Sequence, residues 1–138
     1  MQSTVTFCPV VQAEGLKFGI AHYRRRWPHC AGALVWQLNE PWPGMTWSLL
    51  DHDLGAKPGY YATARAFAPA LSILRLTDDS LEVWVSNARP TRVTDTVTVT
   101  IEGFDGSIDQ THRVKVSVPA STSLMVWSVP RRQIPVNG

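Results

Sequence analysis

The pattern of hydrophobic and polar residues changes character near residue 70. Before that point, four large apolar side chains recur at spacings of four, three and four residues: Leu16, Ile20, Tyr23 and Trp27. This spacing places them on one face of an amphipathic helix, which we predict over residues 12–27. Pro28 lies just beyond and cannot continue the helix, so the pattern also predicts its end.

A short and continuously apolar run follows this helix, from Cys30 to Trp36. An apolar run without alternation is typical of a strand buried on both faces, as in a parallel sheet covered by helices. The next stretch, residues 39–57, has no clear period and is rich in Pro and Gly, which predicts a long loop. Pro58 then opens a second helix, predicted over Pro58–Phe67. The first half therefore reads as a helix–strand–helix unit.

Strict alternation between apolar and polar residues appears in the second half and predicts half-buried strands at Leu81–Val85, Thr96–Ile101 and Val114–Val118. Two further candidate strands are Leu71–Leu76 and Leu124–Val129. Short strands at regular spacing, separated by turn residues, are typical of a β-sandwich. We therefore predict a mainly β chain with two parts, residues 1–69 and residues 70–138.

Composition narrows the function classes. The 138 residues carry a formal net charge of +2, too even a balance to favour nucleic acid or membrane partners. The arginine run at 24–26 is interpreted as a solvated helix end, with a phosphate- or nucleic-acid-binding patch as the alternative. Cys8 and Cys30 make no disulfide framework, and the N-terminus shows no signal-peptide pattern. We expect a cytoplasmic protein.

The sequence offers little catalytic or metal-binding chemistry of its own. The histidines and cysteines have no ligand spacing, and Asp51-His52-Asp53, the one local cluster, is interpreted as a solvated loop. Nucleophile and phosphate-binding motifs are absent from the sequence. A carboxylate pair for glycoside hydrolysis could come only from Glu40, Asp51 and Asp53, all on one loop with no scaffold opposite. We predict no catalytic residue, no metal and no cofactor.

The segment LVWQLNEPWP, residues 34–43, is the candidate binding site. A flat indole stacks on the apolar face of a pyranose, while amides and carboxylates bind its hydroxyls. Trp36, Asn39, Glu40 and Trp42 are the candidate substrate-binding residues. The alternative interpretation, in which Trp36 is core and Trp42-Pro43 packs a turn, is equally compatible with the local pattern.

Several motifs in sequence order resemble the end of the catalytic barrel of β-mannosidases, in the glycoside hydrolase family that includes β-galactosidases and β-glucuronidases. They are QAEGLKF at residues 12–18, YRRR at 23–26, GALVWQLNEPWP at 32–43, WSLLD at 47–51, KPGYY at 57–61 and RAFAP at 65–69. The strand-rich remainder is similar to the immunoglobulin-like domain that follows this barrel. The resemblance implies that residues 1–69 are the terminal helix–strand–helix unit of a (β/α)₈ barrel.

The resemblance also implies a function for a longer protein. Trp36 would form the floor of a sugar subsite, with Asn39, Glu40 and Trp42 on the loop above it. The family hydrolyses glycosides with retention, using two glutamates that lie upstream of the matching segment, and it more often has Asp at position 40. We therefore expect a C-terminal piece of such an enzyme, inactive alone, whose partners are a mannoside or other glycan and the upstream barrel.

Two further expectations remain open. The chain could instead be a stand-alone β-sandwich module that binds glycan or protein. In either case, the orphan strand Cys30–Leu38 would leave free edges, so we expect self-association of the chain.

Overall fold

The computed structural model describes residues 2–104, 106 and 109–134. Contacts divide the chain into two compact units, Met1–Ala68 and Pro69–Gly138. In the described residues, two α-helices belong to the first unit and five strands to the second. Because strands outnumber helices, the predicted mainly β class is confirmed. No helix in these residues combines the length and the apolar character that a membrane span requires.

The first unit contains helix α1, Gln2–Arg25, and helix α2, Pro58–Ala66. Helix α2 lies where the sequence predicts it. Helix α1 begins earlier than predicted and contains Pro9. The predicted apolar face of α1 is only partly covered: Ile20 is buried, but Tyr23 and Trp27 are 46% and 37% exposed.

The strand predicted over Cys30–Trp36 is not formed, and residues 31–35 have no strand pairing. Leu34, expected in a doubly buried strand, is fully exposed. A parallel strand is stabilised by hydrogen bonds to neighbours on both sides and by helices on both faces. The first unit supplies helices but no neighbouring strand among its described residues, so the apolar run has nothing to pair with. The predicted helix–strand–helix unit is therefore observed as helix–loop–helix.

The two helices pack closely and are joined by an arginine. A Cβ placed on Gly59 would lie 3.3 Å from both Gln12 and Leu16, so the glycine permits this approach. Arg24 Nη1 donates to Ala66 O at 2.7 Å and to Ala68 O at 2.6 Å. Ala66 is the last residue of α2 and Ala68 lies two residues beyond it, where a helix end leaves carbonyls without internal donors. Arg24 thus caps α2, which corrects the interpretation of the whole arginine run as a solvated helix end.

The second unit confirms the predicted strands. They are β1 Ala70–Leu76, β2 Ser80–Asn87, β3 Val93–Glu102, β4 Asp109–Val118 and β5 Thr122–Pro130. Two antiparallel sheets form, one in the order β1-β2-β5 and the other from β3 and β4. The chain therefore changes sheet twice, between β2 and β3 and again between β4 and β5.

The two sheets pack through the alternating apolar residues. Val85 from one sheet and Val116 and Val118 from the other form the buried core. The polar neighbours of Val116, Lys115 and Ser117, are exposed, and so is every threonine of β3. The period-two pattern thus predicts correctly which face of β3 and β4 is buried, and which face of β2 up to Val85.

Asn87 forms hydrogen bonds with both connections between the two sheets. It ends β2, is 1% exposed, and its Nδ2 donates to Thr91 O at 2.9 Å, Val118 O at 3.2 Å and Pro119 O at 2.9 Å. Its Oδ1 accepts from Arg89 N at 3.0 Å. One buried amide therefore satisfies backbone groups of two connections that would otherwise lack partners.

Candidate functional site

Three of the four predicted substrate-binding residues lie at the surface of the first unit. The side chains of Trp36 and Trp42 are 76% and 66% exposed, and Asn39 is also exposed. The peptide bond between Trp36 and Gln37 is cis. The alternative interpretation of Trp36 as a core residue is therefore wrong for this unit, because both indoles face solvent.

Glu40, the fourth predicted residue, lies elsewhere. It is 3% exposed, forms an ion pair with Lys57, and accepts a hydrogen bond from Ser48 Oγ at 2.7 Å, both at Oε1. Its Oε2 is buried and has no donor among the described residues. Because the carboxylate is shielded from solvent and already paired, the prediction that it contacts a sugar needs correction. Glu40 is part of the loop's interior.

Lys57 is the centre of this interior. Its ammonium donates to the Glu40 carboxylate, to Ser48 Oγ at 3.0 Å and to Thr46 O at 3.4 Å, which uses all three of its protons. The Lys57 side chain is 14% exposed. Burial lowers the pKa of this lysine from its ordinary value, while the adjacent carboxylate favours the charged form. We call Glu40, Thr46, Ser48 and Lys57 the Lys57 cluster.

Backbone hydrogen bonds fix both ends of the segment that the cluster encloses. Leu50 N donates to Leu38 O at 2.7 Å, and Lys57 N donates to Leu49 O at 3.0 Å. From α1, Gln12 Nε2 donates to the Trp47 carbonyl and to Ser48 O at 3.3 Å. We call residues 40–48 the Trp loop. It is held from inside by the cluster and from one side by α1.

The acidic residues beyond the Trp loop have local structural roles or are exposed. Asp51 Oδ1 accepts from Gly55 N at 2.7 Å and closes a turn, while His52 and Asp53 are exposed. A Cβ on Gly55 would lie 2.6 Å from the Asp51 carboxylate, so any side chain at this position would displace that carboxylate from the turn. Across the described parts of the chain, no group of three or more His, Cys, Asp or Glu side chains is placed to hold a metal ion.

An apolar groove of about 730 Å³ lies between α1 and the Trp loop. Phe7, Val11, Met45 and Trp47 line it and are each more than half exposed. Exposed apolar surface of this extent is typical of a face that another chain segment or molecule covers.

The geometry favours binding over catalysis. Exposed indoles and the Asn39 amide provide stacking faces and hydrogen-bonding groups for a polar ring with one apolar face. The acid nearest to them in the sequence, Glu40, is neutralised by Lys57 and inaccessible. Glu40, Asp51 and Asp53 are the possible sources of a catalytic carboxylate pair. Of these, Glu40 is buried and paired with Lys57, and Asp51 is hydrogen-bonded within a turn.

Comparison with known proteins supports the same family as the sequence motifs. Residues 79–136 match the Mannosidase Ig/CBM-like domain family. β-Mannosidase B of Neosartorya fischeri is 32% identical over 130 residues, covering 83% of this chain. β-Mannosidase B of Aspergillus niger is 44% identical over 72 residues, covering 50% of this chain.

This chain is a relative of the β-mannosidases. It spans only 15% of the Neosartorya fischeri protein and 8% of the Aspergillus niger protein. The β-D-mannosidase of Dictyoglomus thermophilum matches in structure with a TM-score of 0.74 and 27% identity, over 91% of this chain and 16% of that one. The exo-chitosanase CsxA of Amycolatopsis orientalis shares the fold, with a TM-score of 0.74, 23% identity, and coverage of 88% and 15%. The sandwich is thus the immunoglobulin-like domain expected from the β-mannosidase resemblance.

Sequence reasoning missed two residues of this site. Ser48 and Lys57 were not predicted to contribute, although both lie in motifs that resemble β-mannosidases, WSLLD and KPGYY. A lysine directly before the proline of a helix start, in an otherwise uncharged motif, was the available signal. Its partner is 17 residues away along the chain, at a distance that no local period indicates.

Proposed function

We propose that this chain is the C-terminal part of a retaining glycoside hydrolase that acts on terminal β-mannosides. On this proposal the first unit is the last unit of a (β/α)₈ barrel and contributes one wall of the sugar subsite, through Trp36, Asn39 and Trp42. The second unit is an accessory immunoglobulin-like domain. The glutamate pair for double displacement would come from the upstream barrel, so the 138 residues alone would not turn over a mannoside.

The exposure of Trp36 and Trp42 carries the proposal. Two large indoles at 76% and 66% exposure are costly to leave in water unless they meet a ligand or another part of the protein. Trp36 is the last residue of the unpaired apolar run 30–36, and Trp42 follows six residues later; in a barrel this run would be a strand with its carboxyl end at the site. The similarity to β-mannosidases covers this same segment.

A hybrid enzyme tests the proposal. This chain would replace the matching C-terminal segment of the Dictyoglomus thermophilum β-D-mannosidase, and turnover of an aryl β-mannoside would be measured. We expect the hybrid to be active and the Trp36→Ala variant to lose most of kcat/KM. Trp127→Phe, in the second unit, is the control and should leave kcat/KM unchanged. A hybrid that folds and is inactive counts against the proposal.

The isolated chain provides the complementary test. We expect no turnover of the same substrate by the pure 138-residue protein. Clear turnover that disappears in a Glu40→Gln variant would revive a local carboxylate pair. Saturable binding of manno-oligosaccharides by the isolated chain, lost in Trp36→Ala, would instead favour a stand-alone binding module, the second candidate, which the Ig/CBM-like domain match supports.

A further inference from the structure

We propose that Lys57 is the positioning residue of the Trp loop, setting the directions of Trp42 and Trp47 without contacting the sugar. The proposal rests on the proposed function only in naming a sugar as what the loop holds. It assigns Glu40, previously a candidate ligand, to the same positioning role.

The ammonium holds the Trp loop at three points. Glu40 lies two residues before Trp42, and Thr46 and Ser48 lie on either side of Trp47. Each indole therefore projects from a short piece of chain between two anchored residues. The backbone that carries the indoles is fixed, while the indoles themselves remain 66% and 62% exposed and free to meet a ligand.

Apart from the ammonium, the described contact that anchors the loop's first half is the bond from Ser48 Oγ to Glu40 Oε1 at 2.7 Å, which provides no compensating charge. Gln12 holds Trp47 and Ser48 from α1, but within the described part of the chain residues 40–45 make no polar contacts apart from those of Glu40. The buried carboxylate also needs the ammonium, because an isolated charge at 3% exposure is strongly unfavourable. Removing the ammonium should release Glu40 and, with it, the chain that leads to Trp42.

Lys57 is itself rigidly placed. It precedes the first residue of α2, its N–H is bonded to Leu49 O at 3.0 Å, and its carbonyl accepts from Tyr60 N at 2.9 Å. A binding surface built on a regular element is held more accurately than one held by a loop alone. Lys57 therefore fixes the position of the Trp loop relative to the start of α2.

Fluorine NMR of the full 138-residue chain tests this directly. With 5-fluorotryptophan incorporated, the six tryptophans give resonances that Trp→Phe variants assign. We expect Lys57→Met to shift or broaden the Trp42 and Trp47 resonances and to leave Trp84 and Trp127, in the other unit, unchanged. Lys57→Arg, which keeps the charge and the donors, should restore them in part.

A matched control is available in the same unit. Lys17 pairs with Glu14 at 2.5 Å on the surface of α1, with both side chains more than half exposed. Lys17→Met makes the same chemical change away from the loop and should move none of the loop resonances. If Lys57→Met lowers the melting temperature but leaves Trp42 and Trp47 where they are in the Lys17→Met spectrum, Lys57 is merely structural and the proposal is overturned.

Two further experiments, a second variant and a kinetic measurement, test the same role of Lys57. If Lys57→Met does not fold, Glu40→Gln removes the charge but keeps the shape, and an unchanged Trp42 resonance in that variant overturns the proposal. In the hybrid enzyme, Lys57→Met should reduce kcat/KM on the order of tenfold, as expected for a misplaced binding group. A hybrid that is inactive with the native loop counts against the proposed function, whereas the fluorine spectra still decide the role of Lys57.

Discussion

Asn87 offers the sharpest test of how the sandwich is held together. Its buried amide lies within hydrogen-bond distance of three backbone carbonyls, which share the two Nδ2 protons, and its Oδ1 accepts one bond from the backbone, across both connections between the sheets. Replacement by alanine removes these contacts and leaves backbone carbonyls without a donor. At about 1 kcal/mol for each of the two donated protons and the one accepted bond, the second unit should lose roughly 3 kcal/mol of unfolding free energy.

This loss should be measured on the full chain by urea and thermal unfolding, followed by far-UV circular dichroism. For a unit of this size it corresponds to a fall in melting temperature of roughly 12 to 24 °C. Amide hydrogen exchange at Val85 and Val116 would assign the loss to the sandwich, since both lie in its core.

The Asn87→Asp variant removes the donated hydrogen bonds but keeps the side-chain volume, so it separates the two contributions to stability. Aspartate has the same shape and can still accept from Arg89 N, but its ionised oxygens would face the three carbonyls that now receive protons. We expect a loss at least as large as that of alanine. Arg92→Ala is the control, because its bond to Ser117 is exposed and should matter little. A loss below about 1 kcal/mol in Asn87→Asp would refute the assignment.

Three other perturbations follow from single contacts. The Trp84 indole N–H donates to Glu82 at 2.7 Å and, with Arg75, lowers the pKa of that carboxyl. The stability this contributes is therefore present above the ordinary glutamate pKa and is lost as the pH falls through the lowered value, so the difference in melting temperature between the native chain and Glu82→Gln should close in acid. Arg24→Met should destabilise the first unit by about 2 to 4 kcal/mol through loss of two charged hydrogen bonds, measured by urea unfolding. Gly55→Ala should open the Asp51 turn and speed amide exchange at residue 55.

The sequence predicts the second unit well because its patterns are local. The exposed threonines of β3 and the buried valines beside them follow from a period of two, and turn residues separate the strands. What the pattern leaves out is Asn87. A polar residue at a strand end is ordinary in a sequence, and only the meeting of two distant connections makes its amide indispensable.

In the first unit the sequence predicts the helices and fails on the strand. The apolar run at 30–36 has the composition of a doubly buried strand, and that composition reflects neighbours that the described residues do not provide. Leu34 shows the consequence, since a side chain suited to a barrel interior is fully exposed here. The apolar composition of this segment is thus suited to neighbouring strands and helices, and without those neighbours the segment does not form a strand.

Glu40 shows the same limit at the site. A carboxylate between two tryptophans has the chemistry of a sugar ligand, and the sequence offers no reason to prefer another role. The decision comes from Lys57, 17 residues later, which pairs with Glu40 in the interior of the loop. Because a buried and neutralised carboxylate is a poor ligand but a strong anchor, the same residue type in the same motif can serve the site by holding its indoles in place. The role of an acidic residue near a candidate sugar site is therefore set by its partner, and that partner is found only in the folded chain.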